Sequence, residues 1–239
     1  MSVLFLYDTE STDLKNPEPV EVARVKITEC DNTVLIGKVK SSHVNPEAHI
    51  SYGAMGVHGI TPEMVAKAPV WTLVKDKYMP SDEDCFVGSH NWKFDSKVLG
   101  EDYDGFKSIC TLELARKLID KSECDSHTNM ALYYYLGLHK TVGFPEGKPH
   151  GAAFDVQITA NILVELMKRF SLTLQDCYDI VNEIKEADKP FICPFPKHKG
   201  KTWEQVLVDD SRYVDWVLEN NKLYDKTEHD KLRKLVKRC

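Results

Sequence analysis

The chain has 239 residues, 42% hydrophobic and 28% charged, with a net charge of −6, an ordinary globular composition sufficient for one large domain and a small appendage. The acidity argues against a protein that coats nucleic acid electrostatically, and no apolar run approaches the length of a membrane span. Seven cysteines, odd in number, widely spaced and without a C-x-x-C pair, argue against a disulfide framework or zinc knuckle and for reduced thiols in the cytoplasm; no basic region precedes the first apolar run, so a signal peptide is not expected.

Residues 3–7, five apolar or aromatic positions, predict a buried strand running directly into Asp8, Thr9 and Glu10. Side chains two apart in an extended chain share a face, so Asp8 and Glu10 stand side by side. Strands are also predicted over 20–27 and 33–39, with breaks at Pro17, Pro19 and the Asp31–Asn32 turn. An irregular Gly-, Pro- and His-bearing segment follows over 45–62, and Thr61 and Pro62 fit the N-cap and first position of a helix. Further strands are predicted over 84–88 and 106–110, with helices over 91–99, 111–118, 129–136 and 151–170. Asn91 is the expected cap of the 91–99 helix, and the 151–170 segment has the clearest helical periodicity. A meander followed by alternating helices and strands predicts a mixed sheet with helices on its faces. A connecting helix is expected over 172–187. After prolines at 190, 194 and 196 come a basic turn, two short helices and a basic helix over 228–238. The expected organisation is a domain over 1–172, a connecting helix or linker over 173–190, and a small basic module over 191–239.

Three motifs recur in order: Asp8-x-Glu10, then His90-Asn91-x-x-Phe94-Asp95 after a predicted strand, then His150-x-x-x-x-Asp155 at the start of the strongest helix. With the connector Gly56-Val57-His58-Gly59-Ile60-Thr61, this series resembles the DEDDh exonucleases, and the resemblance extends over nearly the whole chain. It implies an α/β fold with a ribonuclease-H-like mixed five-stranded sheet flanked by helices, and a 3′–5′ exonuclease releasing nucleoside 5′-monophosphates from DNA 3′ ends. The same chemistry on RNA, or a non-catalytic end-binding or proofreading partner, remains the alternative. Departures from the family pattern are the bulky Trp92, where a small residue is common, and Gly151-Ala152-Ala153, where an Arg-Ala-Leu type run is common.

Four carboxylates from separate segments, Asp8, Glu10, Asp95 and Asp155, repel unless hard cations join them, and an all-oxygen set suits Mg²⁺ or Mn²⁺ better than zinc. Two ions about 3.5–4 Å apart clamp the attacking and leaving oxygens of an in-line displacement. Asp8 is the candidate bridge between them, and His150 the candidate base for the attacking water.

The resemblance also implies substrate contacts. The loop from Thr9 through Ser11 to Lys15 lies against the terminal nucleotide in the family, and Leu14 reads either as a wedge on the terminal base or as a core-facing loop residue. Asn91 and Phe94 resemble positions near the scissile nucleotide, while Trp92 reads either as a stacking platform or as core. Met55, Val57 and His58 lie in the connector that lines the nucleotide pocket in the family, although His58 and His90 also suit capping or packing. Lys197, Lys199 and Lys201 read either as phosphate contacts or as a solvated basic turn. Expected partners are DNA 3′ ends, single-stranded or duplex, with RNA possible, no membrane, and either a second copy of the chain or replication and repair proteins.

Overall fold

The structure, a computed structural model, describes residues 1–31, 33–80, 84–220, 222–223 and 226–237, so Asn32 of the expected turn and Arg238 of the expected last helix lie outside the described residues. The chain divides into two compact units, Met1–Ile184 and Lys185–Cys239.

Among the described residues of the first unit, six strands form one sheet: β1 (Ser2–Ser11), β2 (Pro19–Cys30), β3 (Thr33–Ile36), β4 (Lys40–His43), β5 (Phe86–Ser89) and β6 (Lys107–Cys110). The order is β3-β2-β1-β5-β6, with β4 also on β2. The β1–β2, β2–β3 and β2–β4 pairs are antiparallel and β1–β5 and β5–β6 parallel, giving the mixed sheet that the alternation of elements predicts. Six strands replace the expected five because the predicted 33–39 strand stops at Ile36. Gly37 turns the chain, its N–H donating to the Lys26 carbonyl, and the polar run Lys40–His43 pairs with β2 further along.

Strand β1 is central, and Leu4, Phe5, Leu6 and Tyr7 are all buried, as expected where both faces of a sheet are covered. Its pairing with β5 ends at Leu6, whereas its pairing with β2 continues through Asp8 and Glu10 to a register shift before Ser11. The two carboxylates therefore sit within a strand held on one side only, rather than beyond its exit, and the bulge after Glu10 turns the chain into the Thr12–Asn16 loop.

The helices of this unit are α1 (Tyr52–His58), α2 (Pro62–Val65), α3 (Trp71–Val74), α4 (Trp92–Leu99), α5 (Thr111–Leu118), α6 (Asn129–Tyr135), α7 (Leu138–Thr141), α8 (Ala152–Phe170) and α9 (Leu174–Asp188), whose last residues pass into the second unit. Helix α1 falls in the segment expected to be irregular. Gly53 and Gly56 weaken its intrinsic propensity, and caps hold it: Ser51 Oγ accepts the Ala54 N–H at one end and Gly59 takes a left-handed conformation (φ 73°) at the other. Thr61 precedes Pro62 as expected but its side chain makes no cap bond, and neither does that of Asn91. Helix α8 packs on β1 and β2, and its Ala152, Val156, Ala160 and Leu163 are part of the main core. A smaller cluster, Val20, Ile50, Ile60 and Val65, lies beneath the connector.

The second unit has its own core of Cys193, Trp203, Val206, Val214, Val217, Leu223 and Leu232, from α10 (Trp203–Asp209), α11 (Ser211–Glu219) and α12 (Lys226–Val236). Thr202 and Gln205 form a reciprocal capping box that starts α10. No helix among the described residues is long and apolar enough to cross a membrane.

Candidate active site

The end of β1, the first turn of α8 and the first turn of α4 meet at one place. Carboxylate oxygens of Asp8, Glu10 and Asp155 all lie within 4.8 Å of one another. Asp95, on α4, is buried beside them, and its Oδ1 accepts the Thr9 hydroxyl at 2.8 Å. Burial and the charges of Asp95, Asp155, Glu10 and Glu21 hold Asp8 well above the usual carboxylate range. Burial, then Asp155, Glu21 and Asp95, push Glu10 up to about 8. Burial raises Asp95 to about 6 and also raises Asp155, against the hydrogen bond that Asp155 accepts from His150. Such a cluster repels itself unless protons or cations enter it, and its donors are all oxygen, the set that hard divalent ions prefer.

His150 reaches this cluster through its backbone rather than its ring. Its N–H donates to Asp155 Oδ2 at 3.0 Å, and its φ of 61° places it in the left-handed region. The imidazole is exposed and borders a 680 Å³ groove that also touches Asp155, His90, Asn91 and Arg116.

A second cavity of 390 Å³ opens beside Glu10 and is bordered by Thr9, Ser11, Leu14, Val57, His58 and Phe94 among others. Leu14 is 81% exposed at the tip of a turn in which Asp13 Oδ1 accepts the N–H groups of Lys15 and Asn16, so the core-facing alternative does not hold. The remaining sequence candidates fall elsewhere. Trp92 is core, not a stacking platform: it is 7% exposed and packs against Tyr7 and Tyr103, whose rings fill the space beneath α4. Met55 does not border the cavity; its side chain packs instead on the Val20, Ile50, Ile60 and Val65 cluster. His58 is committed internally: its Nδ1 accepts the Ile60 N–H, which leaves Nε2 to donate to the Ser11 carbonyl, and burial lowers its pKa. It thus braces the strand end rather than offering a free ring. His90 bonds Thr111 and the His127 carbonyl, and burial lowers it to about 4. Lys197 and Lys201 pair with Asp210 and Asp209 in the second unit, while Lys199 is exposed.

One participant has no place among the sequence candidates. Glu21 stands directly across from Glu10 in the β1–β2 register, and its Oε2 accepts the Ala152 N–H at 3.0 Å. The available signal was a carboxylate among the apolar residues Val20, Val22 and Ala23.

An acidic cluster on the central strand of a mixed α/β sheet, completed from two flanking helices, defines a metal-dependent phosphodiester nuclease of the ribonuclease-H-like class. Residues 5–163 match the RNase_T family model, described as exonuclease, and the chain belongs to that family. It is a DEDDh 3′–5′ DNA exonuclease. It is 32% identical over 225 residues to exodeoxyribonuclease 10 of Escherichia coli K12, covering 91% of each chain. It is 26% identical over 185 residues to the DNA polymerase III subunit epsilon of Rickettsia conorii, covering 75% of this chain and 80% of that one. Among solved structures it is similar to exonuclease X in complex with 5′ overhanging duplex DNA, with a TM-score of 0.58 and 32% identity over 74% of this chain and 98% of the other.

Proposed function

We propose that this centre removes nucleoside 5′-monophosphates from DNA 3′ ends with a pair of Mg²⁺ or Mn²⁺ ions held by Asp8, Glu10, Asp95 and Asp155. The observation that carries the reading is the convergence of Asp8, Glu10 and Asp155 oxygens within 4.8 Å, beside a cavity lined by Leu14, Val57 and Phe94. When bound, the cations supply Lewis-acid stabilisation of the attacking and leaving oxygens. The protein's own residues do the rest. Asp8 is central to the cluster, and Thr9 holds Asp95 in place through its hydroxyl. The exposed His150 imidazole takes the proton of the attacking water, and the Asp155–His150 backbone bond fixes where that ring starts. Leu14 and Phe94 take the terminal base, Ser11 supports the strand end against it, and Asn91 lines the groove that His150 and Asp155 also border. The DNA-bound state of exonuclease X supports DNA as substrate, duplex ends with a 5′ overhang included.

The test is a 5′-labelled DNA oligonucleotide and its RNA counterpart incubated with Mg²⁺ or Mn²⁺. The expected result is a DNA ladder shortened from the 3′ end, abolished in Asp8→Ala and Asp155→Ala and slowed by about 10²–10⁴-fold in His150→Ala. RNA shortened as fast as DNA would replace this reading with an exoribonuclease. Full activity in Asp8→Ala would overturn the ligand assignment.

A further inference from the structure

We propose that Glu21 is a positioning residue of the exonuclease centre, seating the first turn of α8 and, through it, Asp155 and His150. The inference rests on the reading above, in which those two residues serve the reaction.

The location of Glu21 is costly unless it has a task. It lies on β2 directly opposite Glu10, and facing side chains of an antiparallel pair share one side of the sheet, where like charges destabilise. Its charge raises Asp8, Glu10 and Asp155 alike. Yet it is outside the group whose oxygens converge within 4.8 Å, and one of its oxygens is already engaged.

That engagement is at the start of a helix. The first N–H groups of a helix have no partner within it. The N-cap of α8 is Gly151, which has no side chain to offer, so the Glu21 carboxylate accepts the Ala152 N–H from across the sheet. A carboxylate also suits the positive end of the dipole of this 19-residue helix. One turn on, Asp155 accepts the His150 N–H and holds that residue at φ 61°, in the left-handed region that a non-glycine residue adopts only when its surroundings hold it there. Two clasps therefore act on one short segment. The Asp155 clasp shapes the segment; the Glu21 clasp ties it to the strand that also pairs with Glu10. Without the second, the Asp155 carboxylate is free to shift relative to Asp8 and Glu10.

Three variants separate this role from a charge effect and from general stability. Glu21→Gln keeps an acceptor oxygen at the same reach. Glu21→Asp keeps the charge but is one methylene too short for the Ala152 N–H, and Glu21→Ala keeps neither. Mn²⁺ binding is measured without DNA by calorimetry, alongside kcat and KM on a 5′-labelled oligonucleotide. The expected result is that Ala and Asp both lose about 10–100-fold in Mn²⁺ affinity and kcat. KM for DNA should hold, and Gln should recover Mn²⁺ affinity and kcat to within about threefold. An aspartate variant that matches the native protein while the glutamine variant falls would overturn the proposal. So would native Mn²⁺ affinity and kcat in all three. If Glu21→Ala does not fold, the order of Gln and Asp decides. Asp155→Asn is run beside them. If it keeps both activity and Mn²⁺ binding, the reading of the centre fails. If it loses both while Glu21→Asp is unaffected, the Glu21 role alone fails.

Discussion

Three carboxylates with oxygens within 4.8 Å of one another are first a problem of charge. With no cation, burial and mutual repulsion push Glu10 up to about 8 and also raise Asp8 and Asp155. A raised carboxyl pKa means that the folded chain keeps protons the unfolded chain has released. Stability therefore falls as pH rises from the ordinary carboxyl value of 4.5 towards about 8 for Glu10, the reverse of a salt-bridged carboxylate. The metal-free protein should lose Tm across that window, and Mg²⁺ should raise Tm more at pH 8 than at pH 5.5. Binding near pH 7 should also release about one proton or more. Calorimetry in buffers of different ionisation enthalpy reads that release, and equal heats in all buffers would refute it. The sequence exposes the parts of this cluster that local periodicity sets. Asp8 and Glu10 share a face because strands repeat every two residues, and Asp155 follows His150 at the start of a helix. It does not expose partners that depend on which distant segments meet. Thr9 finds Asp95 from 86 residues away, and Glu21 finds Ala152 from 131. Trp92 illustrates the same limit: its burial depends on Tyr7 and Tyr103 closing around it.

At the scale of elements, the turn after β1 and the close approach of β5 to β6 carry the sharpest consequences. The turn is braced by Asp13 and by Lys97, whose ammonium donates to the Lys15 carbonyl, so Leu14 is presented on a fixed platform. Burying a leucine against a base is worth about 1.5 kcal/mol at the low end of side-chain burial. Leu14→Ala should then raise KM for DNA about tenfold with kcat retained, and a fall in kcat at constant KM would contradict a base-holding role. Gly88 is constrained differently. A Cβ there would stand 2.2 Å from the Ile109 carbonyl oxygen, so any side chain drives β5 from β6. Gly88→Ala should cost about 3 kcal/mol in urea unfolding, and because β5 leads into Asn91 and α4, activity should fall with it. The apolar strands and long helices were legible through their patterning. Strand β4 was not, because Lys40–His43 has no apolar period and pairs only because β2 is long enough to hold two partners on one edge.

Each of the two units has a core of its own. Leu174, Cys177 and Val181 place the buried face of α9 with the first, and Trp203, Val206, Val214 and Leu232 build the second without it. A meander followed by alternating helices and strands was enough to specify a mixed sheet, since few layer arrangements bury both patterns. The cation arrangement of the second unit required the structure. Lys197 and Lys201 lie 2.6 and 2.7 Å from Asp210 and Asp209, leaving Lys199 as the exposed lysine of that turn with no ion-pair partner among the described residues. If this unit contacts the substrate, Lys199 is the lysine of the three whose charge is available to a phosphate. A chain ending at Ile184 should then unfold cooperatively and cleave at the native kcat on saturating DNA, but with a raised KM and a weaker salt dependence. Lys199→Ala in the full chain should reduce the slope of log affinity against log salt by about 0.7, the value for one phosphate contact on single-stranded DNA. Lys197→Ala and Lys201→Ala should change it less, because each removes a charge already shared with an aspartate. Identical KM and salt slope in the truncated and full chains would mean that the second unit does not touch DNA.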